Sequence, residues 1–590
     1  MYYDVDENCK SILYSSNSSG IPQLYLISSE VGSKPRQITN GTDPVIFSYI
    51  SPKGDKLIYP RDKDGDEMDQ IFFFSVKSGD RKQLTDKPYR TLGLGWHPNG
   101  KEVSRIIVTK KGYVLESINV ESGETFVLKE PSLLIDAIHY SHDGKWIACN
   151  AYPSFTNTQI YIINRNDPED IIIYNIKDDS RESLPSWSPD DKMVAFRSEA
   201  TGRGRIVIQE FQGEDQFILD INEDEEVISS STLFLSNTPV WNPKSDTVYY
   251  IVNKHGRNTL HAHPLTGEKE PALLFPEGVV AMPKVSKDGR FIVAAHSSMT
   301  SPDGIYIHEF GSEMVVSLTP REFNIDLSLL NKPQSIWYKS FDARSIHSWY
   351  ISAVDNTKPY PAVIRVHGGP WAQFSDGWLA SVLSNCLSQN GIASFLPNFR
   401  GSTGYGSEFQ NLDIGDPGGG DLEDIIYGAD WLRTKSEIDK TKIGIMGASY
   451  GGFMTLIALT KKPDAFITGV SSVPVIDWGE MYSLSDHVFQ QFIKNLIGGT
   501  PEQKKDLYLD RSPITHISNI KAPVMIMASK NDSRCPIEPI EKFIKKLKEK
   551  NHPHEFILEE KAGHISALFN WEESIPLFTK IVDFLKRNLT

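Results

Sequence analysis

Two hydrophobic patterns divide the chain. In the first, short apolar runs recur behind a polar turn. The turns are Ser51-Pro52-Lys53-Gly54-Asp55, Trp96-His97-Pro98-Asn99-Gly100, Ser141-His142-Asp143-Gly144, Trp187-Ser188-Pro189-Asp190-Asp191, Trp241-Asn242-Pro243-Lys244-Ser245 and Ser286-Lys287-Asp288-Gly289. A degenerate copy, Glu7-Asn8-Cys9-Lys10, opens the chain ahead of Ile12-Leu13-Tyr14. The copies lie about 45 residues apart and further apart only between Pro189 and Pro243. Many units close on leucine or isoleucine followed by threonine, as in Ile38-Thr39, Leu84-Thr85 and Leu318-Thr319. A period in the forties with several short strands per unit predicts β-propeller blades. The repeat predicts seven of them over residues 1–322.

From about residue 325 the pattern changes to apolar strands alternating with helical segments, the mark of an α/β sheet. Ile443-Gly444-Ile445-Met446 runs into Gly447-Ala448-Ser449-Tyr450-Gly451-Gly452, and an apolar helix restarts at Phe453. A serine on so tight a strand-to-helix turn needs small neighbours, and the turn lifts its hydroxyl out of the sheet. Ser449 is therefore the candidate nucleophile. Two later strands, Val524–Ser529 and Glu555–Leu558, run into loops that carry Asp532 and His564. The order Ser, Asp, His and the placement at strand ends predict a triad. His564 acts as base and acid, and Asp532 holds its tautomer. His552 and His554 also follow Asp532, but they precede or open a strand and are expected to be surface residues. Pro361–Val366 is a further strand, ending in His367-Gly368-Gly369-Pro370. An oxyanion needs two aimed donors, and the backbone N–H groups of Tyr450 and Gly369 are the candidates, with Gly368 close behind. His367 is expected to pack and hydrogen-bond rather than react.

Length agrees with two domains, since 590 residues exceed what one core supports. The predicted division is 1–322, a propeller, and 323–590, an α/β-hydrolase. A net charge of −15 disfavours nucleic acid and anionic membrane as partners. The four cysteines, Cys9, Cys149, Cys386 and Cys535, lack metal or disulfide-framework spacing. No metal or other cofactor is expected. The acidic start Met1–Glu7 lacks an apolar signal region and no segment approaches a membrane span, so a cytoplasmic location is expected. In that setting the sequon Asn17-Ser18-Ser19 carries no meaning. Asp62-Lys63-Asp64-Gly65-Asp66 hints at a calcium loop, but its glycine is misplaced and the twelfth-position glutamate is absent. An exposed blade turn is expected there.

His367-Gly368-Gly369-Pro370, the run Asn398-Phe399-Arg400-Gly401-Ser402-Thr403-Gly404-Tyr405-Gly406, the segment from Gly415-Asp416-Pro417 to Gly420-Asp421-Leu422-Glu423-Asp424, the Ser449 turn and Asn531-Asp532-Ser533-Arg534 together resemble the prolyl oligopeptidase family of serine peptidases. Within it the likeness is greatest to the acylaminoacyl-peptidase (acylpeptide hydrolase) branch. The propeller half matches by architecture only, and the resemblance implies a gating role for it. The resemblance implies hydrolysis of short peptides through an acyl-enzyme, with release of an N-acylated amino acid and side activity as an esterase or endopeptidase. It implies that Phe489 and Phe492 line an apolar S1 pocket; at i and i+3 of a helix they face one way, and core packing is the alternative. It also implies that Arg534 binds substrate carbonyl groups, with an ion pair to a nearby carboxylate as the alternative. The partners expected are short acylated peptides, with a homodimer or higher homo-oligomer left open. The branch usually begins with a helix that reaches back to the hydrolase, whereas this chain starts almost at its first blade strand. Cys535, beside Asp532, is either a source of thiol-reagent sensitivity or an inert buried thiol. Two rivals remain: a dipeptidyl peptidase using acidic pairs such as those in Glu223-Asp224-Glu225-Glu226, and a propeller binding scaffold with a redundant hydrolase. A propeller lid disfavours a lipase.

Overall fold

The repeated turns fold by one device. In Ser141-His142-Asp143-Gly144-Lys145 the Ser141 hydroxyl donates to Asp143 Oδ1 at 2.7 Å and accepts from Trp146 N at 3.0 Å. Gly144 then reverses the chain with φ of 75°. Gly54, Gly100, Asp191, Ser245 and Gly289 take the same left-handed position in their own turns. The closing threonine has a role too. Thr39, Thr85 and Thr319 accept through Oγ1 from the N–H of Leu24, Ile71 and Ile305, each in the third strand of its unit. This ties the end of the short outer strand to its neighbour.

The computed structural model describes residues 2–30, 32–230, 236–266, 275–319, 326–354, 358–565 and 571–589. Seven four-stranded antiparallel sheets follow one another, from Tyr3–Val5 to Val315–Ser317, and each is built from consecutive strands. The tryptophans of the repeat staple blade to blade. Trp96, Trp187 and Trp241 each donate an indole N–H to a backbone carbonyl in the previous blade, of Tyr49, His139 and Ser186, at 3.0, 3.1 and 3.2 Å. No strand is exchanged to join the first blade to the seventh among the described residues. Tyr3, Cys9, Ile12 and Tyr14 pack instead against Ala281, Met282, Val293 and Ala295, and the buried Tyr3 hydroxyl reaches the carbonyl oxygens of Met282 and Val293. The long interval between Pro189 and Pro243 also has a structural origin. In the sixth blade the strand preceding Thr247–Lys254 is split into Glu226–Val227 and Val240–Trp241, both paired to Thr247–Lys254, with the extra residues between them.

Asp62–Asp66 is a turn in the second blade, between Lys56–Arg61 and Gln70–Ser75, with Asp64, Gly65 and Glu67 left-handed. Only Lys63 of Asp62–Asp66 is exposed and the rest are half-buried, which corrects the expectation of an exposed turn.

By contacts the chain divides into Met1–Lys63, Glu67–Ser298 and Asp303–Glu322 as one unit, and Asp64–Asp66, Met299–Pro302 and Phe323–Thr590 as the other. The expected boundary at 322/323 lies outside the described residues. The second unit is built on one eight-stranded sheet: β1 (Gln334–Lys339), β2 (Ser345–Ile351), β3 (Tyr360–Val366), β4 (Ala393–Asn398), β5 (Ile438–Ala448), β6 (Gly469–Ser472), β7 (Val524–Ser529) and β8 (His554–Glu559). The order is β1-β2-β4-β3-β5-β6-β7-β8, antiparallel as far as β4 and parallel from there on. Alternation along β3 feeds both faces: Ala362, Ile364 and Val366 enter one core and Val363 the other. The helices that matter for the site are α1 (Gly420–Arg433), α2 (Tyr450–Lys461), α3 (His487–Ile497) and α4 (Ile537–Glu549). Residues 450–460 of α2 are all buried, as its apolar sequence requires. Among the described residues, no helix is long and apolar enough to cross a membrane.

Candidate active site

β5 stops because Ser449 leaves the strand region altogether, with φ 58° and ψ −119°. Strain of this kind persists only where the surroundings over-determine it. Here they do. A Cβ on Gly451 would lie 2.1 Å from Val366 O, and one on Gly447 would lie 2.5 Å from the Gly451 backbone. A Cβ on Gly452 would meet Ser472 O at 2.6 Å. The three glycines let β3, β6 and the start of α2 close on the turn. Ser449 N donates to Ser472 O at 2.9 Å, which ties the turn to β6.

The loop after β7 curls around one carboxylate. Asp532 Oδ1 accepts from the N–H groups of Arg534 and Cys535, at 2.9 and 2.8 Å. Its Oδ2 faces His564 Nδ1 at 2.7 Å, and His564 Nε2 lies 3.0 Å from Ser449 Oγ. The Asp532 and His564 side chains are 1% and 6% exposed, so water screens the pair little. An ionised carboxylate can only accept, so the proton of neutral His564 sits on Nδ1 and leaves Nε2 free to accept from Ser449. Residues at 449, 532 and 564 thus form one hydrogen-bonded line from three separate strand ends. His552 and His554 lie at the opposite end of β8. They are half-buried rather than fully on the surface, and bond the carbonyl oxygens of Ala522 and His552 at 2.9 and 2.7 Å.

The loop after β3 brings the second glycine pair. A Cβ on Gly368 would lie 3.4 Å from Ser449 Cβ, so this loop rests against the serine. Gly369 is exposed and left-handed at φ 118°, a conformation that favours glycine. Among the described residues, neither the Gly369 N–H nor the Tyr450 N–H donates to another protein group. Both are available to an oxyanion. His367 is buried, stacked on Phe399 at 4.3 Å, and bonded to the Ser402 hydroxyl at 2.9 Å. Burial pushes its pKa down to about 4, so it stays neutral and structural.

Phe489 and Phe492 project from α3, which Asp486 caps by accepting from Phe489 N at 3.0 Å. The deep face of α3 is Ile493, Leu496 and Ile497, whereas the two phenylalanines are only half-buried at the edge of the core. They meet each other at 6.2 Å, Phe492 meets Trp371 at 5.4 Å, and the Arg534 guanidinium lies 6.0 Å from the Phe489 ring centre. The three substrate-pocket candidates therefore come together, joined by Trp371 from the loop that holds Gly369. Sequence reasoning missed Trp371, although an aromatic residue two positions past Gly369 was a usable signal.

A second missed residue stands behind the serine turn. Asp421, buried on α1, accepts from the Tyr450 hydroxyl at 2.5 Å and from the N–H of Leu422 at 2.8 Å. Burial, only partly offset by the Tyr450 hydrogen bond, raises its carboxyl to about 6. It anchors the side chain of Tyr450, whose N–H is one of the two candidate oxyanion donors.

Residues 378–590 match the prolyl oligopeptidase family. Dipeptidyl aminopeptidase BIII of Pseudoxanthomonas mexicana is 24% identical over 92% of this chain and 81% of its own length. The acylamino-acid-releasing enzyme of Rattus norvegicus is 24% identical over 61% of this chain and 51% of its own. A puromycin-hydrolyzing peptidase of Mycobacterium tuberculosis superposes with a TM-score of 0.87 at 17% identity, covering 100% of this chain and 94% of the other. That likeness extends the shared architecture through the propeller. The hydrolase part of the chain, residues 378–590, thus matches the prolyl oligopeptidase family, and the chain is a serine hydrolase similar to peptidases.

Proposed function

We propose that this peptidase cleaves short peptides after an apolar residue and releases N-acylated amino acids from blocked N-termini. The observation that carries the reading is the cluster of Phe489, Phe492, Trp371 and Arg534 on loops and a helix flanking the triad. Its aromatic walls suit the side chain before the scissile bond, and its guanidinium suits substrate carbonyl oxygens. Ser449 Oγ attacks the carbonyl carbon as His564 Nε2 takes its proton. The oxyanion is met by the N–H groups of Tyr450 and Gly369. His564 then protonates the leaving amine, and water repeats the cycle on the acyl-enzyme.

A blocked N-terminus carries no cation and needs no acidic pair. The acidic run in the propeller is already engaged: Asp224 pairs with Lys254 at 2.6 Å, and Glu225 Oε2 accepts from Asn222 at 2.8 Å. Glu226 is buried, and burial raises its carboxyl. The relation to acylamino-acid-releasing enzymes supports the same reading. The longer match to a dipeptidyl aminopeptidase favours a second one, removal of free dipeptides.

The test is kcat/KM for acetyl-phenylalanyl and free alanyl-phenylalanyl p-nitroanilides. Preference for the blocked substrate by about tenfold or more, worth about 1.4 kcal/mol, is expected; the reverse order overturns the proposal in favour of the second reading. Arg534→Ala should raise KM for acetyl-peptides about tenfold with kcat little changed. An unchanged KM removes Arg534 from the substrate.

A further inference from the structure

Cys535 takes no part in the chemistry above, yet its Sγ lies beside two of the groups that do. One oxygen of Asp532, Sγ of Cys535 and a ring nitrogen of His564 all lie within 4.8 Å of one another. Among the described residues this is the one group of three or more such side chains close enough to share an ion. Asp532 and Cys535 are buried, and the Cys535 N–H already donates to Asp532 Oδ1 at 2.8 Å, so the two side chains are held side by side by their own loop.

We infer that Asp532, Cys535 and His564 form an inhibitory site for a soft divalent cation, Zn²⁺ or Cd²⁺, which switches the triad off reversibly. The inference rests on the triad reading of Ser449, Asp532 and His564. A carboxylate, a thiolate and an imidazole with one open position suit Zn²⁺, at ligand distances of about 2.0–2.3 Å. For a tetrahedral ion these distances put neighbouring ligand atoms about 3.3–3.6 Å apart. The Asp532–His564 contact of 2.7 Å must open slightly and the thiol must close in. Shifts of about an ångström in side chains suffice, without refolding the loop.

The chemistry explains why binding would inhibit. The cation takes the place of the proton between His564 Nδ1 and Asp532. The thiol gives its proton to solvent and binds as thiolate. Neutral imidazole keeps one proton, which moves from Nδ1 to Nε2. Nε2 then donates toward Ser449 Oγ and can no longer accept its proton. The nucleophile loses its base through a tautomer change, with every side chain still present.

The experiment uses ZnCl₂ and CdCl₂ as probes, with MgCl₂ as a hard-ion control, on the full chain. Hydrolysis of a chromogenic ester should fall with Zn²⁺ and Cd²⁺, stay unaffected by Mg²⁺, and return on chelation. Cys535→Ser and, as a second packing choice, Cys535→Ala should keep basal turnover and raise the half-inhibitory Zn²⁺ concentration at least about tenfold. Independently of activity, Ser449→Ala protein titrated with Cd²⁺ should develop a thiolate charge-transfer band that the added Cys535→Ser change removes. Undiminished Zn²⁺ inhibition in both Cys535 variants, or a Cd²⁺ band that survives Cys535→Ser, overturns the proposal. Persistence of hydrolysis in Ser449→Ala would instead strike the triad reading, and the Cd²⁺ titration would still report on the metal site.

Discussion

Ser245 and Ser449 are both serines held at positive φ, 61° and 58°, one in a blade turn and one at the end of β5. At the place of Ser245 four other blades carry Gly54, Gly100, Gly144 and Gly289. Its hydroxyl serves only the neighbouring turn, accepting from Asp190 N at 3.3 Å and bonding the Asp190 carboxylate. Ser449 differs in what surrounds it. Its ψ of −119° lies outside the left-handed helical well that turns commonly use. Gly447, Gly451 and Gly452 are each forced small by backbone atoms of β3, β6 and α2. A positive φ by itself marks a turn. When three neighbours have no room for a methyl group and the side chain meets a histidine, it marks a reactive residue.

The sharpest break of this comparison is alanine at both positions. Ser449→Ala should fold normally and lose about 10⁴-fold or more in kcat. Ser245→Ala should keep kcat within about twofold, worth about 0.4 kcal/mol. Steady-state kinetics on one chromogenic substrate decides it; a Ser449→Ala enzyme with near-parental turnover would end the assignment.

The flanking glycines come next in size. Gly451→Ala puts a methyl group 2.1 Å from Val366 O, in a sheet strand that cannot retreat. The expected cost exceeds about 4 kcal/mol, with little folded protein recovered. Gly100 is also left-handed, but nothing lies within 4 Å of its absent Cβ. Gly100→Ala should cost about 1–2 kcal/mol, the strain alone. Equal unfolding midpoints for the two variants would refute the difference drawn between blade turn and reactive turn.

Asp421 sharpens the comparison from behind, since it is a buried carboxylate that holds the side chain of the residue next to Ser449. Its carboxyl is raised to about 6 by burial, above the roughly 3.9 of an unfolded chain. The native state therefore holds a proton that the unfolded state releases. The stability this contributes is full below about pH 4 and is lost as pH rises through about 6. Asp421→Asn removes that titration. The stability gap between parent and variant, from urea unfolding, should narrow by up to about 3 kcal/mol between pH 4 and pH 7. A gap that stays constant over that range would show that Asp421 does not titrate as its burial implies.

Much of this was readable in the chain. The Ser449 turn and the strand ends carrying Asp532 and His564 could be found because backbone sterics and strand-end geometry act locally. The blade count could be read because four of the turns carry a serine whose hydroxyl donates to a following aspartate, and the copies share a left-handed residue at the reversal. Trp371 and Asp421 were not found. Their roles arise only when α3 and α1 pack beside residues far away in sequence, and neither packing leaves a periodic trace. The long interval before Pro243 was visible as spacing, but its placement inside a split strand follows from pairing with Thr247–Lys254. Phe489 and Phe492 showed a helical spacing that suits core and pocket alike. Their half-burial at the edge of the core, beside Trp371, is what the pocket reading proposed above draws on.

The smallest effect is the most specific to the comparison. If the Ser245 turn asks only for a left-handed residue, Ser245→Gly relieves strain of about 1 kcal/mol and gives up the hydroxyl's bonds to Asp190 plus some backbone entropy in the unfolded chain. These terms nearly cancel, and a change within about 0.5 kcal/mol of zero is expected. Ser449→Gly would relieve similar strain but remove the nucleophile, so it should match Ser449→Ala in kcat while unfolding no earlier than that variant. Thermal unfolding of the two glycine variants beside their alanine counterparts checks both halves. A destabilisation above about 2 kcal/mol for Ser245→Gly would mean that the blade turn depends on its serine hydroxyl, and the contrast with Ser449 would rest on the triad alone.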